Sequence, residues 1–102
     1  MDQLIPKDVT AALKLIEQEV IRARAHEHRM CSAHDGYAHL LEDVDALWTS
    51  TKATPRSWKQ LRMDAVHIAA TAVRFILDIT DVDDHRWIEA TQKAALLPPD
   101  RQ

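Results

Sequence analysis

The chain has 102 residues, with 13 Lys and Arg against 16 Asp and Glu, and a formal charge of −3 at pH 7. This length suits one domain with one core, which we expect to span residues 1–102. The basic residues are scattered and form no stripe that could follow a phosphate backbone, so we expect no nucleic-acid partner. A single glycine and the absence of strand-type alternation predict an all-α protein.

The single cysteine, Cys31, excludes an internal disulfide and is typical of proteins in a reducing cytosol. The N-terminus has no basic segment followed by an apolar run, so no secretory signal is expected. The longest apolar stretch, 65–79, is interrupted by four polar residues and is too short to span a bilayer. These features predict a cytoplasmic protein without a membrane partner.

The spacing of apolar residues predicts four helices followed by a frayed tail at 98–102. The predicted ranges are 6–28, 35 or 36 to 50, 57–79, and 84–96. Ser57 is expected to cap the third helix, because a Ser hydroxyl can accept a hydrogen bond from the first turn. Trp48, Trp58 and Trp87 are expected in the core.

The third predicted helix has an unusual distribution of polar residues. They fall within about 80° of arc on a helical wheel, and nearly all the remaining positions are apolar. These polar residues are Gln60, Asp64, His67, Thr71, Arg74 and Asp78. The pattern predicts a central helix wrapped by its neighbours. Its apolar arc of roughly 240° exceeds what three short helices cover, so we expect a homodimer or higher homo-oligomer.

Helices 2 and 3 are joined by a short turn and are expected to form an antiparallel hairpin. Each carries two potential metal ligands three residues apart: Glu42 and Asp45 on one, Asp64 and His67 on the other. A turn centred on residues 53–54 would place Glu42 level with Asp64. Carboxylates that face one another suit a hard divalent cation. The alternative for Glu42 and Asp45 is a solvated charged face.

Two segments, HDGYAHLLEDVDALW at 34–48 and DAVHIAATAVRF at 64–75, resemble the MazG-like branch of the all-α nucleoside triphosphate pyrophosphohydrolases. That superfamily is known by E-E-x-x-E on one helix and E-x-x-D on the next. Glu42 and Asp43 match the first acid pair, but Ala46 stands where the third Glu belongs. Asp64 matches the acid of the second motif, and His67 replaces its closing Asp.

The predicted fold is an all-α, MazG-like four-helix bundle with a central antiparallel hairpin, completed by dimerisation. The resemblance implies a metal-dependent enzyme that hydrolyses (d)NTPs to the monophosphate and pyrophosphate. Mg²⁺ would be the cofactor, with Mn²⁺ as an alternative, and Glu42 and Asp64 would be catalytic. The implied metal ligands are Glu42, Asp43, Asp45, Asp64 and His67. Arg74, or the basic end of helix 1, would hold the substrate phosphates.

A second hypothesis belongs to another functional class. The chain would be a catalytically inactive or divergent dimeric helical module of the same fold, acting as a binding or regulatory protein. Ala46 and His67, which depart from the family pattern, favour this hypothesis. Glu42 and Asp64, which match the pattern, favour the enzyme.

Overall fold

The computed structural model describes residues 8–80 and 92–93. Within them the chain forms three helices and no strand: α1 (Val9–His26), α2 (Ala33–Lys52) and α3 (Trp58–Ile79). The all-α prediction is confirmed for this part of the chain. The predicted fourth helix, with Trp87, and the tail at 98–102 lie outside the described residues, apart from positions 92 and 93.

Each helix begins immediately after a polar capping residue: Asp8 for α1, Ser32 for α2 and Ser57 for α3. In each case the side-chain oxygen accepts a hydrogen bond from the backbone N–H three residues later, which satisfies a donor that has no partner inside the helix. The predicted cap at Ser57 is confirmed. Because Ser32 also caps, α2 begins two or three residues earlier than the apolar pattern indicated.

Helix α3 is the centre of the fold. Both α1 and α2 pack on it, whereas no Cα atom of α1 lies within 8 Å of a Cα atom of α2. This arrangement agrees with the central position predicted from the narrow polar stripe of α3. It also leaves the outer sides of α1 and α2 without a partner among the described helices.

The only glycine of the chain lies at the contact between α2 and α3. A Cβ atom at Gly36 would lie 2.5 Å from Cδ2 of Phe75 and 3.0 Å from Sδ of Met30. Such separations are shorter than van der Waals contact, so the absence of a side chain allows the start of α2 to approach the end of α3 closely.

Few large apolar side chains are buried by the described helices. The prediction that Trp48 and Trp58 lie in the core is wrong within this part of the chain, because they are 58% and 70% exposed. Each ring instead carries a cation near its face, with Lys52 Nζ 5.2 Å from the Trp48 centroid and Arg56 Cζ 5.8 Å from that of Trp58. The side of α2 that carries Trp48 has no neighbouring described helix, and Trp58 borders a groove beside α1 that leaves most of its ring open.

No described helix is both long enough and apolar enough to cross a membrane.

Candidate functional site

The polar stripe of α3 meets α2 along a row of hydrogen bonds. Asp64 is 5% exposed, and its carboxylate accepts hydrogen bonds from Ser50 Oγ at 2.5 Å and from Gln60 Nε2 at 2.8 Å. One and a half to two turns further along α3, Thr71 Oγ1 donates to Asp43 Oδ2 at 2.5 Å. The buried carboxylate of Asp64 and the half-buried carboxylate of Asp43 each accept a hydrogen bond from a hydroxyl of the facing helix.

These two pairs define how α2 and α3 are aligned. Ser50 with Asp64 and Asp43 with Thr71 both have residue 57 as their midpoint. The expectation that Glu42 lies level with Asp64 is wrong, because Ser50 takes that place, eight residues or about 12 Å further along the helix. The connection between the two helices runs from residue 53 to 57. Facing residues of α2 and α3 are therefore equidistant from residue 57, whereas a turn centred on 53–54 would make them equidistant from that earlier point.

Glu42 and Asp45 lie on the outer surface of α2. The side chain of Glu42 is 79% exposed, and its Oε1 lies 3.8 Å from Nδ1 of His39 on the same helix. Asp45 is also exposed, and its carboxylate has no ion-pair partner within residues 8–80. At 100° per residue, positions 42 and 45 are turned well away from the inward-facing Asp43, so the geometry matches the solvated charged face that was the alternative prediction.

His67 faces α1 rather than the carboxylate of Asp64. Its Nε2 lies 3.8 Å from Glu19 Oε2, and both residues line a cavity of about 110 Å³ between the three helices. The other polar residues lining this cavity are Arg22, Glu27, Asp43, Thr71 and Arg74. The cavity therefore brings together two of the predicted ligands, Asp43 and His67, with carboxylates from α1 that the sequence did not single out.

Arg22 controls the charge state of the α1 carboxylates. Its guanidinium donates to both oxygens of Glu19, at 2.9 Å and 2.6 Å, and to Glu27 Oε2 at 2.8 Å. These hydrogen bonds are the largest of the effects that lower the pKa of Glu19 and of Glu27 below the ordinary value. Partial burial acts in the opposite direction and raises both pKa values, but by less. The same contacts raise the pKa of Arg22. Both carboxylates are thus held in their charged form.

Arg74 connects α3 to the residues that follow α1. It is 5% exposed, and its terminal nitrogens donate to Glu27 Oε1 and to the backbone oxygen of His28, both at 3.1 Å. Its buried Nε has no hydrogen-bond partner among the described residues. Both terminal nitrogens of Arg74, which was expected to hold substrate phosphates, are therefore engaged within the chain.

Asp78 makes a similar connection at the end of α3. Its carboxylate accepts hydrogen bonds from the backbone N–H of Met30 at 3.0 Å and from Arg24 Nη1 at 3.2 Å. Arg29 Nη2 donates to the backbone oxygen of the same residue at 3.2 Å. Two cations from the basic end of helix 1, one of the predicted phosphate-binding regions, are thus paired with an acid of this chain.

Within residues 8–80 and 92–93, no three His, Cys, Asp or Glu side chains are arranged to hold a metal ion. Of the predicted ligands, Asp43 and His67 line the same cavity. Asp64 lies one helical turn from His67, but its carboxylate is bonded to Ser50. Glu42 and Asp45 are exposed on the outer surface of α2. The potential metal ligands that line the cavity are Glu19, Glu27, Asp43 and His67. The sequence indicated that the polar stripe of α3 needs partners, but no local signal identified Glu19 or Glu27 among them.

The chain matches no family model, no curated protein and no solved structure.

Proposed function

We propose that this chain is a non-catalytic, dimeric helical module of MazG-like fold that acts as a binding or regulatory protein. One observation carries the proposal: the polar stripe of α3 is engaged by hydrogen bonds and ion pairs from within the chain. Asp64, Thr71, Arg74 and Asp78 each bond to a residue of another segment. Polar groups that bond in this way align helices and specify their packing.

The apolar surface supports the same proposal. Large apolar side chains are exposed on all three helices, and the exposed ones include Val9, Leu13, Tyr37, Val44, Trp48, Trp58 and Met63. Exposed apolar surface on this scale marks sites of association in soluble proteins. A module in which most polar groups of α3 bond within the chain, and whose apolar faces are open among the described residues, is suited to binding another protein chain.

The metal-dependent nucleotide pyrophosphohydrolase is the second candidate, and a specific observation favours it. Asp43 and His67, which stand in the two motifs, line one cavity together with Glu19. In that proposal Mg²⁺ or Mn²⁺ would be bound in this cavity, and a (d)NTP would be cleaved to monophosphate and pyrophosphate. The side chains of Glu42, Asp45 and Asp64 would have to turn toward the cation. Arg74 would hold phosphate oxygens. The carboxylates would supply hard ligands, and the bound ion would polarise the phosphate and activate water.

Two measurements on the wild-type protein separate these candidates. Thermal melting is recorded with and without Mg²⁺ and Mn²⁺, because a ligand that binds only the folded state must raise the midpoint. A panel of nucleoside triphosphates is then scored for pyrophosphate release. The proposed module shows no metal-dependent shift and no release. A raised midpoint together with metal-dependent release overturns it in favour of the pyrophosphohydrolase.

A further inference from the structure

Helix α2 carries two neighbouring stripes with different partners. The inward positions, which include Gly36, Asp43 and Ser50, face α3. A second stripe, turned by about 130° on the wheel, consists of Tyr37, Leu41, Val44 and Trp48. All four side chains of this outer stripe are exposed. Their spacing of four, three and four residues is the spacing with which one helix packs along another.

A groove between α1 and α3 offers a matching apolar surface. It has a volume of about 520 Å³ and is lined by side chains of both helices. The residues that matter here are Leu15 and Ile16 of α1 and Trp58, Leu61, Arg62 and Val66 of α3. The first and last lining residues of α3 are eight residues apart in sequence, which is about 12 Å along the helix. The ends of the outer stripe are eleven residues apart, which is about 16 Å.

The two surfaces carry one pair of opposite charges, Asp45 beside the outer stripe and Arg62 in the groove, and each also has a cation stacked on a tryptophan, Lys52 on Trp48 and Arg56 on Trp58. Arg62 lines the groove and has no ion-pair partner among residues 8–80. Asp45 flanks the outer stripe, about 70° from its centre on the wheel, and is likewise exposed and unpaired in that range. An acid beside the stripe and a base in the groove favour one orientation of docking over others.

We infer that the outer stripe of one copy of this chain docks in the α1–α3 groove of a second copy, with Asp45 of one chain paired to Arg62 of the other. Each copy carries both surfaces, so a two-fold dimer buries two such contacts at once. This inference rests on the proposed dimeric module and identifies its interface. It also gives Asp45, a predicted metal ligand, a role in association.

The test measures the dimer dissociation constant by analytical ultracentrifugation on the full chain. Val44→Asp places a charge in the outer stripe and should leave a monomer at micromolar concentration, since a buried unpaired carboxylate opposes docking. Asp45→Arg and Arg62→Glu should each raise the dissociation constant about tenfold or more through like-charge contacts, and the double variant should restore it to within a few-fold of wild type. Glu42→Arg is the matched control, because it makes the same acid-to-base change on the side of α2 turned away from the stripe.

The outcomes distinguish the interface from the module. The proposed interface is wrong if the wild type is dimeric but Val44→Asp is dimeric as well. It is also wrong if the Asp45→Arg, Arg62→Glu double variant does not restore the dissociation constant. Either result leaves the proposal of a dimeric module unaffected. A wild type that is monomeric at micromolar concentration overturns both, and the groove is then covered by another part of the chain or by a different protein. A wild type that forms an open series of larger species overturns the two-fold arrangement. Circular dichroism on each variant checks that the monomer fold is retained, as expected for substitutions at exposed positions and at the half-buried Arg62.

Discussion

Asp64→Asn separates the two functional candidates by the sign of its effect on stability. In the structure Asp64 accepts two hydrogen bonds, from Ser50 and Gln60, and its side chain is buried. A hydrogen bond to a charged group contributes about 1.5–3 kcal/mol and one between neutral groups about 0.5–1.5 kcal/mol. Asn can keep both contacts, because the Ser50 hydroxyl can rotate to accept from the new amide. The substitution therefore converts two charge-assisted bonds into neutral ones.

The loss from the two bonds is about 2 kcal/mol, and the lower desolvation cost of a neutral amide offsets roughly half of it. The expected net destabilisation of about 1 kcal/mol lowers the melting temperature by about 4–8 °C for a domain of this size. If Asp64 instead belonged to a cluster of repelling carboxylates that waits for a cation, removing its charge would relieve repulsion and the metal-free protein would melt no lower than wild type.

The assay is thermal unfolding followed by circular dichroism in the presence of a chelator, with urea unfolding as a second measure. Asp45→Asn is the matched control, since Asp45 is exposed and the change should alter stability by less than about 0.5 kcal/mol. Two results together would refute the structural role of this carboxylate. Asp64→Asn would be at least as stable as the metal-free wild type, and the wild type would show a metal-induced rise in melting temperature that the variant lacks.

Thr71→Val removes the hydroxyl that bonds to α2 and leaves a partly buried carboxylate unpaired, so urea unfolding should show a loss of about 1–3 kcal/mol. Arg22→Gln removes the hydrogen bond that lowers the pKa of Glu19 from its ordinary value of 4.5. The interaction with Arg22 stabilises the fold at pH values above about 4.5, and this stabilisation is lost as the pH falls through the lower pKa of Glu19 in the folded state. The stability of the variant should therefore depend less on pH below about 4.5. Acid titrations monitored by circular dichroism would measure this dependence. The double variant Ala46→Glu, His67→Asp restores the acid pattern of the MazG-like motifs, and calorimetry should show Mg²⁺ affinity unchanged from wild type. Tighter binding would indicate that the two motifs converge on one cation and would favour the enzyme.

The secondary structure of α3 and its central place in the fold can be predicted from the amino-acid sequence. Ser57 supplies a capping oxygen, and no Gly or Pro interrupts residues 58–79, so the helix and its first turn follow from neighbouring residues alone. The narrow polar stripe predicted a helix with neighbours on several sides, and both α1 and α2 pack on α3. These features are local or periodic, which is why they can be read without the partners.

Which polar groups contact one another depends on the packing of the helices and cannot be predicted from local sequence. The register of α2 against α3 depends on how the whole contact packs, including the close approach of Gly36 to Phe75, and not on the length of the turn alone. Ser50 rather than Glu42 therefore lies opposite Asp64. The exposure of Trp48 has a related cause, because a helical wheel shows that a face is apolar but not whether another helix covers it. Contacts between residues far apart in the chain arise from packing over many side chains at once, and no short stretch of sequence encodes them.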